Sequence, residues 1–415
     1  MSIDVSSVDD SENMDAWLFA ASSNTELFFA GPMGGTRHRL LAPPASGAWR
    51  IGDPVGRRQW ISIPGPFPLE AGGVLPSVQL AYETWGQLAP DRSNAVLVLH
   101  ALTGDSHVAG GVAPGHPTPG WWDGLIGPGR ALDPERWFVV APNVLGGCQG
   151  STGPSSPAGD GRAWGSRFPV LTVRDSVAAE AVLADRLGID RWAGVIGGSM
   201  GGMRALEWAV SEPDRVDGLF LLASPAASSA DQIAWCAPQL AAIEGDPYWR
   251  DGDYHHAPPG RGPHTGLGTA RRIAHLSYRS AAELGTRFGR QHQVGEHPWR
   301  GGRYAVESYL DHQAQKLIWR FDAGSYVTLT RMMNAHDVGR DRGGVAAALR
   351  GVRARTIVAG VDSDRLYPLA QQAELAAGIP GSDEVRVINS PYGHDGFLIE
   401  TAQVNALLKE LLEGD

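Results

Sequence analysis

Short apolar runs, each bounded by polar or turn-forming positions, set the rhythm of this chain of 415 residues. Gln59 to Ile63 and Val78 to Tyr82 alternate apolar and polar positions, the period-two pattern of half-buried antiparallel strands. Four continuous apolar runs follow: Ala95 to Leu99, Trp137 to Ala141, Ala193 to Ile196 and Leu219 to Ala223. Such runs suit strands of a parallel sheet covered on both faces. A helical stretch separates the second run from the third. Asp175 can cap it, Val177, Val182, Leu183 and Leu187 share roughly one side, and Gly188 ends it. A further helix is predicted after Ser199, with Ala205, Leu206, Trp208 and Ala209 apolar. Alternating strands and helices predict βαβ units.

From about residue 226 to 345 the strand-like runs vanish. Helical windows such as Thr269 to Arg279 and Val306 to Ile318 are separated by Gly- and Pro-rich loops, for example His256 to Gly268. Strand character returns at Thr356 to Ala359 and Val385 to Ile388, and a last helix is predicted over Glu400 to Leu412. The chain therefore divides into an N-terminal extension (1–52, partly disordered), a first part of an α/β core (53–225), a helical insertion (226–345) and a second part of the core (346–415). No internal repeat or low-complexity segment interrupts this plan.

Composition narrows the function classes. Hydrophobic residues make up 43% and charged residues 19%, enough apolar material for a sizeable core. A net charge of −10 argues against general affinity for nucleic acid or anionic membranes, while leaving room for a local basic site. Two cysteines, Cys148 and Cys236, exclude a disulfide framework and a multi-cysteine zinc site, and they fit a reducing cytosol. No apolar run reaches the roughly 18 residues of a membrane span, and the acidic N-terminus is unlike a secretory signal. A cytoplasmic protein is expected.

The sharpest chemical signal is Gly197-Gly198-Ser199-Met200-Gly201, a G-x-S-x-G directly after a predicted strand and directly before a predicted helix. That context defines the nucleophile elbow of the α/β-hydrolase fold: a mostly parallel central sheet, helices on both faces and, here, an inserted helical lid. The alternative is a glycine-rich turn for close packing or phosphate binding. A nucleophilic serine needs a base, and the base needs an orienting carboxylate. In this fold they follow the serine in the order acid, then histidine. The strand at 356–359 leads to Asp362 and Asp364, either of which could orient the base; the strand at 385–388 leads to His394. The oxyanion donors are expected from the backbone N–H of Met200 and from the loop after Leu99, where Leu102 is the candidate and anything from Ala101 to Gly104 is allowed.

With these residues in place, the chain resembles the homoserine O-acetyltransferase family of α/β-hydrolase-fold proteins, and its actinobacterial members in particular. The resemblance rests on ten blocks in family order: 100–109, 119–130, 143–157, 166–170, 197–209, 270–280, 320–327, 336–345, 362–369 and 390–399. They cover most of residues 57 to 412; residues before about 50 lie outside. The one departure is Gly324, where the family more often has Asn.

The resemblance implies a triad of Ser199, Asp364 and His394. It implies ping-pong transfer of acetyl from acetyl-CoA to the hydroxyl of L-homoserine, a step toward methionine. Acetyl-CoA is then a substrate, and no cofactor or metal is expected. It also implies a homodimer formed through the lid. A zwitterionic acceptor needs a cation for its carboxylate and an anion for its ammonium. Arg271 and Tyr278 match the family's pocket positions, and seven residues apart they share one helix face. Asp395 is the matching candidate for the ammonium, and Thr103 a candidate pocket residue. Each has a plainer reading: a surface ion pair for Arg271, with Arg272 beside it, a loop cap for Asp395 and a turn for Thr103. Relatives on this scaffold use succinyl-CoA or L-serine, and a serine esterase or a catalytically dead binding protein are further alternatives.

Four other features have structural readings. His255-His256 lacks spaced ligand partners and reads as a loop. Cys148 reads as structural. Trp121-Trp122 reads as packing at the junction of core and lid. Arg340 and Arg342 could meet CoA phosphates or form internal salt links.

Overall fold

The computed structural model describes residues 42–414. Eight strands form one sheet: β1 (Gln59–Pro68), β2 (Val74–Trp85), β3 (Ala95–Leu99), β4 (Phe138–Pro142), β5 (Gly194–Gly198), β6 (Gly218–Leu222), β7 (Arg355–Val361) and β8 (Arg386–Ile388). Their order is β1-β2-β4-β3-β5-β6-β7-β8. β1 and β2 pair antiparallel, and β2 pairs antiparallel with β4. Every pairing from β4 to β8 is parallel. The two alternating segments thus form the antiparallel hairpin at one edge. β3, β5 and β6 are buried along their whole length, which is why they read as unbroken apolar runs.

Helices cover both faces. On one side lie α1 (Val173–Leu187) and α2 (Met200–Ser211), where Trp208 meets Trp192 edge-on at 6.2 Å. The true N-cap of α1 is Thr172. Asp175, expected to cap it, sits at the third helical position and completes a reciprocal capping box, so it stabilises the same helix end from one turn inside.

Between β6 and β7 the chain builds a helical cap: α3 (Ala230–Glu244), α4 (His264–Tyr278), α5 (Ala281–Phe288), α6 (Ala305–Arg320) and α7 (Ala323–Asn334). After it come α8 (Val345–Arg350), α9 (Leu369–Gly378) and α10 (Thr401–Glu413), the last covering the second face of the sheet. A separate apolar cluster, with Leu102, Met200, Met203, Leu267, Leu317 and Tyr326, joins the cap to the strand ends.

One expectation changes. Trp122 packs against Phe397 within the core cluster under α10 and donates its indole N–H to the Phe397 carbonyl at 3.1 Å. The Trp121–Trp122 pair therefore belongs to the core and not to its junction with the cap. Of the N-terminal extension, residues 1–41 lie outside the described residues. Residues 42–52 are ordered against the body: Ala45 and Ala48 are buried, and Ser46 donates a hydrogen bond to Asp322 at 2.7 Å.

Sheet order reverses direction around β3, between β4 and β5. The carboxyl ends of strands flanking such a switch diverge and leave a crevice. The loop after β3 begins at His100, and the turn after β5 begins at Ser199.

Candidate active site

The turn after β5 is forced by close approach. A Cβ on Gly201 would stand 2.0 Å from the Leu99 carbonyl oxygen, and one on Gly197 would stand 2.1 Å from the Gly201 carbonyl oxygen. Only glycine lets α2 start this close to β3. Ser199 has φ 56° and ψ −126°, a positive φ that a side-chain-bearing residue adopts only under constraint. The constraint comes from both sides: Ser199 N–H donates to Leu222 O at 3.0 Å, and the Ser224 hydroxyl donates to Ser199 O at 2.9 Å.

The Ser199 hydroxyl lies 3.0 Å from His394 Nε2. His394 Nδ1 lies 2.7 Å from Asp364 Oδ2. An ionised carboxylate only accepts, so the imidazole proton sits on Nδ1 and Nε2 is free to accept from Ser199. The other oxygen of Asp364 accepts the backbone N–H groups of Leu366 and Tyr367 at 2.8 and 2.9 Å. Asp362 is used differently: its carboxylate accepts the Ser390 N–H at 3.0 Å and ties the two late loops together. This geometry separates the two acids that the sequence left open.

Three rings enclose His394: Tyr367 and Phe397 at 5.1 Å and Tyr278 at 5.8 Å between centroids. Tyr367 and Phe397 were not singled out from the sequence, although both lie inside the blocks at 362–369 and 390–399. The cap holds the histidine loop directly. Ser280 donates to the Pro391 carbonyl at 2.5 Å, and a Cβ on Gly393, where φ is +66°, would stand 2.6 Å from the Tyr278 carbonyl oxygen.

Leu102 and Ser199 line the same cleft. Gly104 donates its N–H to Ala101 O at 2.9 Å, so it is already committed to a turn. Met200 opens α2 and has no preceding helical turn to bond to. The cleft is narrow, about 20 Å³, and continues past Gln232, Trp235, Cys236 and Gln239 of α3. Among the described residues its lining includes no ionisable acid or base other than the phenols and the Cys236 thiol. Burial pushes that thiol up to about 11 and the Tyr278 phenol up to about 12.

Charge gathers on the other side of Leu102. Arg271 donates to the Thr103 hydroxyl at 3.3 Å and stacks over the Tyr278 ring, its guanidinium carbon 5.7 Å from the centroid. Arg272 pairs instead with Asp311 at 2.7 Å. Asp395 lies 3.4 Å from Arg279, itself paired with Glu283 at 2.7 Å. Burial raises the Asp395 carboxyl, and the positive groups around it offset this only in part.

The remaining sequence candidates fall outside the cleft. Arg340 pairs with Glu70 at 2.8 Å and Arg342 with Glu207 at 2.6 Å, the internal salt-link reading. His255 faces the buried Asp322 at 3.1 Å. Cys148 is buried, and burial raises its thiol far above the usual range.

One cluster was invisible in the sequence. Glu83 of β2, His107 and His116 are buried together, close enough for a cation to bridge them. Three of their polar contacts are made within the protein, while among the described residues His107 Nε2 and His116 Nδ1 are buried without a partner. Glu83 accepts from Ser106 at 2.9 Å and His107 Nδ1 at 3.0 Å, and His116 Nε2 accepts the Arg57 N–H at 2.9 Å. The two imidazoles stack at 3.8 Å with an 11° tilt. Through its bonds to Ser106 and His107 the group pins the loop that begins at His100 to β2.

Comparison with known proteins gives a consistent picture. A family described as alpha/beta hydrolase fold matches residues 94–401. The homoserine O-acetyltransferase of Thermobifida fusca is 70% identical over 369 residues, 89% of this chain and 97% of that protein. Among solved structures, a homoserine O-acetyltransferase from Bacillus anthracis superposes with a TM-score of 0.77 at 26% identity, covering 86% of this chain and 97% of the other. An acetylester hydrolase from Corynebacterium glutamicum gives 0.73 at 30% identity, covering 86% and 96%.

Proposed function

Because the chain belongs to the homoserine O-acetyltransferase family of the α/β-hydrolase fold, we propose that it transfers acetyl from acetyl-CoA to the side-chain hydroxyl of L-homoserine through an acetyl-Ser199 intermediate. The observation that carries the mechanism is the continuous hydrogen-bond chain Ser199–His394–Asp364 beneath a helical cap.

In the first half-reaction Ser199 Oγ attacks the thioester carbonyl while His394 Nε2 takes its proton. The carbonyl oxygen becomes an oxyanion facing the Leu102 and Met200 N–H groups, whose dipoles are fixed before the reaction begins. Collapse breaks the carbon–sulfur bond, and His394 returns the proton to the departing thiolate, releasing CoA. In the second half, the homoserine hydroxyl gives its proton to His394 and attacks the acetyl-serine. Collapse restores Ser199 with that proton and yields O-acetyl-L-homoserine. Asp364 stays ionised throughout and stabilises the imidazolium. The atoms balance with these side chains and two substrates, so no cofactor or metal is invoked.

Transfer wins over hydrolysis only if the acceptor is held and water is kept out. The three rings around His394 and the cap loop at Tyr278–Ser280 support exclusion of water. Arg271 takes the acceptor carboxylate and Asp395 its ammonium, with Tyr278 and Thr103 shaping the pocket. The working form is a cytoplasmic homodimer joined through the cap.

The likeness to an acetylester hydrolase favours one competing reading, in which water is the acceptor. Thiol release from acetyl-CoA, measured with and without L-homoserine, tests both. Release that requires homoserine supports the transferase. Equal release without any acceptor identifies a hydrolase. Release with L-serine or succinyl-CoA instead would keep the mechanism and change the substrates.

A further inference from the structure

Two guanidinium groups converge on Thr103, next to the oxyanion candidate Leu102. Arg271 donates to its hydroxyl at 3.3 Å, and Arg320, at the end of α6, donates to its carbonyl at 2.8 Å. Lys316 stands four residues before Arg320 on α6, on the same helix face; burial first, then the charges of Arg320 and Arg271, bring its ammonium down to about 8. Among the described residues none of these three cations has a carboxylate within salt-bridge distance, and Lys316 has no hydrogen-bond partner. Arg271 Nε is buried and unpartnered as well. The nearby acids act at longer range: Asp105 on Arg320, and Asp395 on Arg271.

Grouping like charges while burying them is costly unless an anion completes the group. Other buried arginines are satisfied singly, Arg204 by Glu180, Arg279 by Glu283 and Arg58 by Gln149 and backbone carbonyls. Three cations gathered at Thr103 with no carboxylate among them therefore point to a ligand. Its position fixes the scale. Thr103 is the residue after Leu102, which lines the cleft with Ser199. An anion held there belongs to a small molecule whose reacting hydroxyl is a few bonds away. A phosphate at the far end of a CoA pantetheine arm is much farther from its thioester.

We propose that Lys316 and Arg320 join Arg271 in a three-cation site for the carboxylate of the acceptor, and that Lys316 is a specificity-determining residue for carboxylate-bearing alcohols. This rests on the reading of the site as an acyltransferase. Arg320 serves partly through Thr103, whose carbonyl it fixes. Lys316 has no structural bond to lose, so it is the cleaner probe.

The experiment compares L-homoserine with L-homoserine amide, which lacks the negative charge. Binding is measured by calorimetry to Ser199→Ala, and turnover as the ratio of kcat/KM for the two acceptors in the active enzyme. A charge-assisted hydrogen bond is worth enough for the parent to prefer the acid by about tenfold to a hundredfold. Lys316→Met is expected to lower that preference about tenfold in both measurements, and Lys316→Arg to restore most of it. An unchanged preference in Lys316→Met overturns the proposal. So does an intact preference accompanied by a raised KM for acetyl-CoA, which would assign the cations to the donor's phosphates. If the parent acetylates neither acceptor, the transferase reading falls. Calorimetry still decides the anion site in that case: equal binding of acid and amide overturns it, and a Lys316-dependent difference supports it.

Discussion

Asp364 presents one carboxylate oxygen to His394 at 2.7 Å and anchors the other on two backbone N–H groups, while Asp362, two residues earlier, touches only the backbone of the neighbouring loop. The two acids should therefore fail in different ways. Asp364→Asn keeps the shape but disfavours the tautomer with a proton on Nδ1, and kcat should fall about 10³- to 10⁴-fold. Asp362→Asn should cost stability by about 1 kcal/mol, because the amide oxygen still accepts the Ser390 N–H but without charge assistance, and kcat should stay within about tenfold of the parent. Steady-state kinetics and thermal unfolding of the pair check this; a larger kcat loss in Asp362→Asn would reverse the assignment.

Gly201→Ala should damage the elbow without removing any catalytic group. The new methyl would overlap the Leu99 carbonyl, so α2 must shift away from β3. Overpacking of this kind costs about 1–3 kcal/mol, and the same shift displaces the Met200 N–H from the oxyanion. The expected result is a lowered Tm together with a kcat loss of at least about 10²-fold. Normal kcat in a correctly folded Gly201→Ala would show that the close contact is dispensable.

Arg204 and Glu180 form an ion pair with no solvent exposure between α1 and α2, and Trp208 donates to the same carboxylate at 2.8 Å. Arg204→Met leaves that carboxylate buried without its cation and should cost about 3–5 kcal/mol. Glu180→Gln added to Arg204→Met should recover much of the loss, because the neutral amide no longer needs a cation. Denaturant unfolding of the single and double variants provides the test; equal stability of the two would mean that burying the charge is not the cost.

Acid should destabilise the fold through three histidines held neutral. Burial, with the Arg204 charge beside it, lowers His100 to about 3; burial lowers His116 and His336 to about 4. Unfolded, each titrates near 6.5 and binds a proton that the folded form refuses. Stability from this source is complete above about pH 6.5 and is lost as the pH falls toward 4. His107 runs the other way: burial opposes its charge, but Glu83 outweighs burial and raises it. Its contribution is complete below about pH 6.5 and disappears as the pH rises through its folded value. Calorimetric Tm across this range should fall on the acid side. The gap between parent and His107→Gln should narrow toward alkaline pH, and a gap that widens there would refute the assignment.

Strand positions, the stretch without strands and the serine turn were legible because each leaves a local mark: a period of two, an unbroken apolar run, or a glycine-framed serine at a strand-to-helix turn. Partnerships between distant segments leave none. Glu83 meets His107 and His116 through loop geometry alone, and no spacing rule joins them. Trp122 looked like a junction residue, yet it packs with Phe397, 275 positions away. The orienting acid was ambiguous for the same reason. Asp362 and Asp364 are alike in sequence context, and only the direction of their carboxylates separates them. Lys316 gave no signal either, since its meaning lies in its place beside Arg320 with no carboxylate among the described residues to pair it.

Residues 46–49 form a clasp. Ser46 holds Asp322 at 2.7 Å, Gly47 donates its N–H to Phe321 at 3.2 Å, and Trp49 donates its N–H to Cys148 at 3.0 Å. The first two contacts are to the join between α6 and α7, and the third is to the loop after β4. A pull on this segment would thus load α6 and its terminal Arg320 before it reached any strand of the sheet. Cutting the chain between the clasp and β1 would leave the triad covalently untouched, yet free the support behind the cation that grips Thr103. In mechanical terms the Thr103 side of the cleft hangs from a tether that runs outside the sheet, while Ser199 stands on the sheet itself.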